Sequence, residues 1–165
     1  MKIRFIINPI SGTGKQKGIE EHITKHLDNF EIIHTRKSGD AIRISKEAAN
    51  ENIDAVIAVG GDGTVNECLK GLVNTNTALG VIPCGSGNGF AYHIGMDRII
   101  EKAVKQLKNT QIKHIDTCTA NGVPFVNVAG IGFDAHISNL FTTLKIRGLI
   151  NYLKIILKEL SYKPQ

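Results

Sequence analysis

The feature that most constrains this chain is an alternation of short β-branched runs with amphipathic stretches over its first hundred or so residues. Ile3 to Ile7, Glu31 to Thr35, Ala55 to Val59 and Leu79 to Ile82 read as strands. Lys17 to Leu27, Asp40 to Asn50, Val65 to Leu72 and Arg98 to Leu107 read as helices. Strand and helix in strict alternation imply crossover connections, so the expected class is α/β, a mainly parallel sheet with helices on both faces. Around His114 the pattern changes. Lys113 to Ala120, then Asn121-Gly122, then Val123 to Ala129 reads as strand, type I′ turn and strand, the start of an antiparallel element. Leu140 to Leu160 then shows apolar residues at helical spacing with Lys or Arg between them. The expected organisation is therefore an α/β domain over 1–112, followed over 113–165 by a hairpin and a basic amphipathic helix.

Parallel sheets bind ligands at the carboxyl ends of their strands, and the glycines gather there. Of 17 glycines against 4 prolines, clusters follow the first strand (Asn8-Pro9-Ile10-Ser11-Gly12-Thr13-Gly14-Lys15), the third (Gly60-Gly61-Asp62-Gly63-Thr64) and the fourth (Pro83-Cys84-Gly85-Ser86-Gly87-Asn88-Gly89). Familiar templates fail. Gly14-Lys15 is followed by Gln16 and lacks a glycine five residues earlier, so it is no Walker A loop, and Gly12-x-Gly14 meets Lys17 where a Rossmann fingerprint needs glycine. Gly130-x-Gly132-x-x-Ala135 fits the loose dinucleotide form, but it follows a hairpin and lacks an acid at the ribose spacing.

The Gly60 to Thr64 loop leaves an apolar strand and enters a helix whose Thr64-Val65-Asn66-Glu67 reads as a capping box. Free N–H groups and the positive helix end then face whatever occupies the loop, and phosphate is the natural occupant. A carboxylate there, Asp62, repels phosphate unless it binds Mg²⁺ or takes a proton from an attacking hydroxyl. The plain alternative is a turn aspartate bonded to its own backbone, with Glu67 a capping partner only.

Composition excludes several classes. With 42% hydrophobic and 21% charged residues, the chain is an ordinary globular sequence. Cys68, Cys84 and Cys118 are odd in number and widely spaced, which reads as reduced thiols without zinc. No secretory signal or spanning segment is visible, so a cytoplasmic protein is expected. The net charge of +5 is mostly terminal: from Leu140 onward five basic residues (Lys145, Arg147, Lys154, Lys158, Lys163) face one acid, Glu159. With only 5% aromatics, nucleic acid is not an expected partner; an anionic membrane surface or a phosphate ligand fits better, beside the plain reading of a solvated helix face.

Together these loops resemble the diacylglycerol kinase catalytic domain family, which includes bacterial lipid kinases, sphingosine kinases and ceramide kinases. The resemblance rests on Asn8-Pro9-x-Ser11-Gly12-x-Gly14-Lys15, Gly60-Gly61-Asp62-Gly63-Thr64-x-Asn66-Glu67, Pro83-x-Gly85-Ser86-Gly87-Asn88 and Asn127-x-Ala129-Gly130-x-Gly132-Phe133-Asp134-Ala135. It implies a nucleotide domain like those of phosphofructokinase and NAD kinase, and transfer of the γ-phosphoryl of Mg·ATP to a lipid hydroxyl. On this resemblance ATP lies near Asn8, Ser11, Gly12, Thr35, Gly61, Gly63, Thr64, Glu67, Gly85, Ser86, Gly87 and Asn88, with Arg147 approaching the phosphates. Asp62 is implied as base or Mg²⁺ ligand, and Asp134 as lying toward the lipid. Family members are longer and continue into a β-rich domain that completes the lipid pocket, of which this sequence holds only the beginning. The expectations that follow are peripheral attachment to a membrane, self-association through uncovered surface, and doubtful activity of the 165-residue chain. An NAD kinase-like enzyme and a non-catalytic nucleotide-binding or membrane-associating fragment are the alternatives.

Overall fold

The computed structural model describes residues 1–11, 16, 18–143 and 149–159. Its contacts divide the chain into two compact units, Met1–Asn127 and Val128–Gln165.

In the first unit, four strands pair in parallel in the order β2-β1-β3-β4: β1 (Ile3–Ile7), β2 (Phe30–His34), β3 (Ala55–Gly60) and β4 (Ala78–Pro83). The central strands carry the apolar runs because both their faces are covered. Phe5, Ile6, Val56, Ala58 and Val59 are fully buried. The intervening helices are α1 (Ile19–His26), α2 (Asp40–Asn50), α3 (Asp62–Leu72), α4 (Gly89–His93) and α5 (Ile100–Gln106), the last running into a 3₁₀ turn at Leu107–Asn109. Most bounds lie within a residue or two of the sequence reading, the usual scatter at frayed ends. One shift matters, because α3 begins at Asp62 rather than Val65. Helix α4 had no counterpart in the sequence reading, since one turn is too short to show a period.

Arg4 breaks the apolar run of β1 and is buried. Its guanidinium donates to Glu31 Oε1 at 2.8 Å, Glu51 Oε2 at 2.6 Å and the Ile44 carbonyl at 3.3 Å. The charge is thus met by strand β2 and by the middle and the C-cap of α2, which is what a buried cation requires.

The hairpin forms where expected, between β5 (Cys118–Ala120) and β6 (Val123–Phe125). Asn121 and Gly122 both adopt positive φ, 50° and 76°, as a type I′ turn demands. The strands are three residues each, much shorter than the sequence suggested. The division by contacts falls after Asn127, and Val126 packs on the α/β core.

In the second unit, α6 (Phe133–Thr143) begins seven residues before the expected helical start at Leu140, and α7 (Leu149–Lys158) follows. Gly132 at φ 64° leads into α6, so the glycines of that motif end in a helix rather than a loop. Among its described residues Ile137 and Ile155 are buried, and His136 Nε2 lies 3.0 Å from Glu159 Oε2. Lys145 and Arg147 lie outside the described residues, as do Gly12, Gly14, Lys15 and Lys163.

Burial pushes the Cys68 thiol up to about 12, so it stays protonated and unreactive at neutral pH. Cys84 is also buried and Cys118 is exposed. A disulfide-exchange reagent should therefore label Cys118 rapidly in the native protein and the other two only after denaturation. Rapid labelling of Cys68 without denaturant would contradict this packing.

Candidate nucleotide-binding cleft

The strand order decides where a site can form. From β1 the chain winds to β2 on one side, and β3 lies on the other, so the loops after β1 and β3 part around a crevice at their carboxyl ends. Each loop is fixed by continuing the ladder. The Asn8 N–H donates to the Val59 carbonyl at 3.0 Å, and the Thr35 N–H to the Ile7 carbonyl at 2.9 Å. Asn8 Nδ2 then bridges the crevice to Thr64 Oγ1 at 3.2 Å, while its Oδ1 accepts the Ile10 N–H at 3.0 Å.

A cleft of about 380 Å³ opens there, lined among others by Asn8, Ser11, Thr35, Gly61, Gly63, Thr64 and Glu67. That size lies within the range of small-molecule sites, about 300–1,000 Å³. The hydroxyl of Ser11 is buried and has no partner among the described residues, a group left for a ligand or water to satisfy. No side chain caps α3, whose N-cap is Gly61. Among the described residues the N–H groups of Asp62 and Gly63 in its first turn are thus open, and with the helix dipole they favour an anion.

The expected capping box does not form. Thr64 lies inside the helix, its N–H bonded to the Gly61 carbonyl at 3.0 Å, and its hydroxyl is taken by Asn8. Glu67 instead reaches across to the loop after β2, where Oε1 accepts from Ser38 Oγ at 3.2 Å and Oε2 from the Gly39 N–H at 3.0 Å. The residues Thr64 and Glu67 stay on α3 three apart, but the helix starts three residues too early for Thr64 to be its cap.

Asp62 is exposed and is not bonded to its own backbone: its Oδ2 accepts the Asn88 N–H at 2.9 Å from the loop after β4. Asn88 sits in the left-handed region at φ 65° and is buried. Its amide grips Gly85, with Oδ1 accepting the Gly85 N–H and Nδ2 donating to the Gly85 carbonyl, both at 2.7 Å. Gly85 is buried against Gly61, and Ser86 and Gly87 are exposed beyond it. The loop of Gly85, Ser86, Gly87 and Asn88 does not line the 380 Å³ cleft; it braces Gly61 and Asp62 from the adjacent strand.

Among the lining residues that escaped the sequence reading are Arg36, Lys37 and Ser38, just after Thr35. Their signal was available, since a basic pair follows a predicted strand at the same sheet edge, but no glycine cluster marks it. Asp40 organises this segment by accepting the Arg36 and Lys37 N–H groups at 2.8 and 3.1 Å. Those backbone bonds hold its carboxyl below the ordinary aspartate range. A lowered folded-state pKa contributes stability above the unfolded value and loses it as pH falls through the folded one. The stability gap between wild type and Asp40→Asn in urea titrations should accordingly be widest near neutrality and close on acidification. A gap independent of pH would mean the carboxylate charge plays no part.

Asp134 is in the second unit, exposed in the first turn of α6, beside a concavity formed with Val128, Gly130, Ala135, Ser138 and Tyr152. As for a metal, no three His, Cys, Asp or Glu side chains converge among the described residues. Asp62 Oδ1 has no protein partner among them. One such carboxylate suits Mg²⁺ that arrives with phosphates, because that ion keeps most of its ligands as water and phosphate oxygens.

A parallel α/β domain with a phosphate-suited cleft at its switch point defines a broad class of ligand-binding proteins. Within it, the model described as the diacylglycerol kinase catalytic domain matches residues 2–120, and the chain belongs to that family. A diacylglycerol kinase of Bacillus subtilis (strain 168) is 39% identical over 141 residues, covering 79% of this chain and 46% of the relative. A Chromohalobacter salexigens protein called "Probable lipid kinase YegS-like" is 36% identical over 138 residues, covering 79% and 44%. The crystal structure of a diacylglycerol kinase from Bacillus anthracis str. Sterne superposes with a TM-score of 0.69 at 33% identity, covering 76% of this chain and 48% of that one. The chain thus spans a little under half the length of these relatives.

Proposed function

We propose that this chain carries the nucleotide-binding half of a lipid kinase that transfers the γ-phosphoryl of Mg·ATP to a lipid hydroxyl. The observation that carries the reading is the meeting of three strand ends at one cleft, Asn8 and Ser11 after β1, Thr35 after β2, and Gly61, Gly63 and Thr64 after β3. The polyphosphate lies against the open first turn of α3 and the Ser11 hydroxyl, with Arg36 and Lys37 at the rim. Asp62 accepts the proton of the acceptor hydroxyl or holds the metal; Mg²⁺ neutralises charge developing on the phosphates. Catalysis here is positioning and electrostatics.

Gly63 supplies the test. Among the described residues a Cβ built on it meets nothing within 4 Å, so no packing there demands glycine, and yet it lines the cleft. ATP titration by calorimetry should show binding to the wild type and at least about tenfold weaker binding to Gly63→Val, at unchanged melting temperature. Equal affinity would remove the phosphates from this loop. Labelled ATP offered with diacylglycerol, a sphingoid base or NAD identifies the acceptor class, and transfer to NAD alone would replace the lipid reading.

A peripheral contact with lipid is supported by α7. Ile150, Leu153 and Leu157 are exposed along one stripe, with Lys154 and Lys158 exposed beside it. An apolar face edged by lysines suits the headgroup region of an anionic bilayer.

A further inference from the structure

We propose that Glu67 and Asp40 are positioning residues, which hold the Thr35–Gly39 segment so that Arg36 and Lys37 stand at the cleft. The proposal rests on the nucleotide reading of that cleft and goes beyond it by assigning two carboxylates a role that excludes direct contact with an anion.

The segment between β2 and α2 is too short to form structure of its own. Its polar groups are accepted almost entirely by the two acids. Asp40, the first residue of α2, takes the N–H groups of Arg36 and Lys37 through Oδ2. Glu67, from α3, takes the Ser38 hydroxyl through Oε1 and the Gly39 N–H through Oε2. Gly39 has φ 86°, a left-handed conformation that turns the chain into α2 and aims its N–H at Glu67. Four donors in successive residues are thereby bound by side chains anchored on two helices. The main chain is held by carboxylates, and the side chains of Arg36 and Lys37 remain exposed while lining the cleft.

This resolves a difficulty of charge. A free glutamate lining a cleft for polyphosphate would repel the ligand. Glu67 has one oxygen on a hydroxyl and the other on a backbone N–H, so its charge is compensated by donors of the loop it fixes. It acts on the anion through Arg36 and Lys37.

A thermodynamic cycle tests this, with ATP as the probe and calorimetry as the readout. Glu67→Ala should weaken ATP binding about five- to tenfold in the wild-type background. In Arg36→Ala/Lys37→Ala, itself weakened, the same change should add less than about twofold. Glu67→Gln keeps one acceptor oxygen at the same length, so it should lose no more than about threefold; run through the same cycle it keeps the test available if Glu67→Ala does not fold. Asp40→Ala, which removes the acceptor of the Arg36 and Lys37 N–H groups, should show the same dependence on the two cations. A purely structural role moves the melting temperature without this coupling. Losses that multiply across the cycle, or a gain in affinity on removing Glu67, would overturn the inference while leaving the nucleotide reading intact. Absence of ATP binding by the wild type would instead overturn the nucleotide reading, and this inference with it.

Discussion

Gly85→Val is expected to lower stability by about 3 kcal/mol or more and to abolish measurable ATP binding, although Gly85 does not line the cleft. A Cβ at this position would fall on the Cα of Gly61, 3.2 Å from the Gly61 nitrogen and 2.9 Å from Asn88 Oδ1. The obstacle is main chain, which cannot swing aside as the tip of a long side chain can. Relief requires the loops after β3 and β4 to separate, yet the Cys84 N–H is bonded to the Gly60 carbonyl at 2.9 Å and pins them. Any separation also breaks the Asn88 clasp on Gly85 and the Asn88 N–H bond to Asp62. Urea denaturation gives the stability loss through the midpoint at constant slope. The contrast with Gly63→Val is the sharper check: both are glycines of a phosphate-type motif, but one is required by packing and the other, on the proposed function, by the ligand. Equal midpoints for the two variants would show that the loops do not touch as described.

Asp62→Asn should separate binding from chemistry. The amide oxygen of asparagine can still accept the Asn88 N–H, so the loop junction survives and ATP affinity should stay within about threefold. Asparagine can neither take a proton from a hydroxyl nor offer an anionic oxygen to a cation. Phosphoryl transfer should therefore fall by about 10²- to 10⁴-fold in turnover, with KM for ATP nearly unchanged. Asp62→Ala, which also loses the bond to Asn88, should impair both turnover and affinity. Transfer is followed with labelled ATP and diacylglycerol in mixed micelles. Undiminished turnover in Asp62→Asn would sink the assignment of Asp62 as base or metal ligand.

Much of this architecture was legible in the order of residues alone. Runs such as Ile3 to Ile7 and Ala55 to Val59 are continuous because both faces of a central parallel strand are covered, and that pattern is local. The Asn121-Gly122 turn was equally local, since few other residues tolerate two successive positive φ angles. So was the placement of Asn8, Ser11 and Gly61 to Thr64 at the carboxyl edge, which follows from strand preceding helix. Local readings failed where a residue's partner is distant in sequence. Thr64 and Glu67 have capping-box spacing, but Asn8, 56 residues away, takes the threonine, and Ser38 and Gly39 take the glutamate.

Hydrophobic period and turn chemistry therefore determined which segments are strands and helices and which loops lie at the carboxyl edge of the sheet. Only the tertiary structure decided the order β2-β1-β3-β4, which opens the crevice between the ends of β1 and β3. It alone sorted the glycines, Gly85 against backbone and Gly63 against open space, and brought Arg36 and Lys37 to the cleft. The physical reason is that period and turn preference act over a few residues. The neighbour a missing Cβ leaves room for, and the donor a carboxylate accepts, are fixed by pairing between strands and helices far apart along the chain.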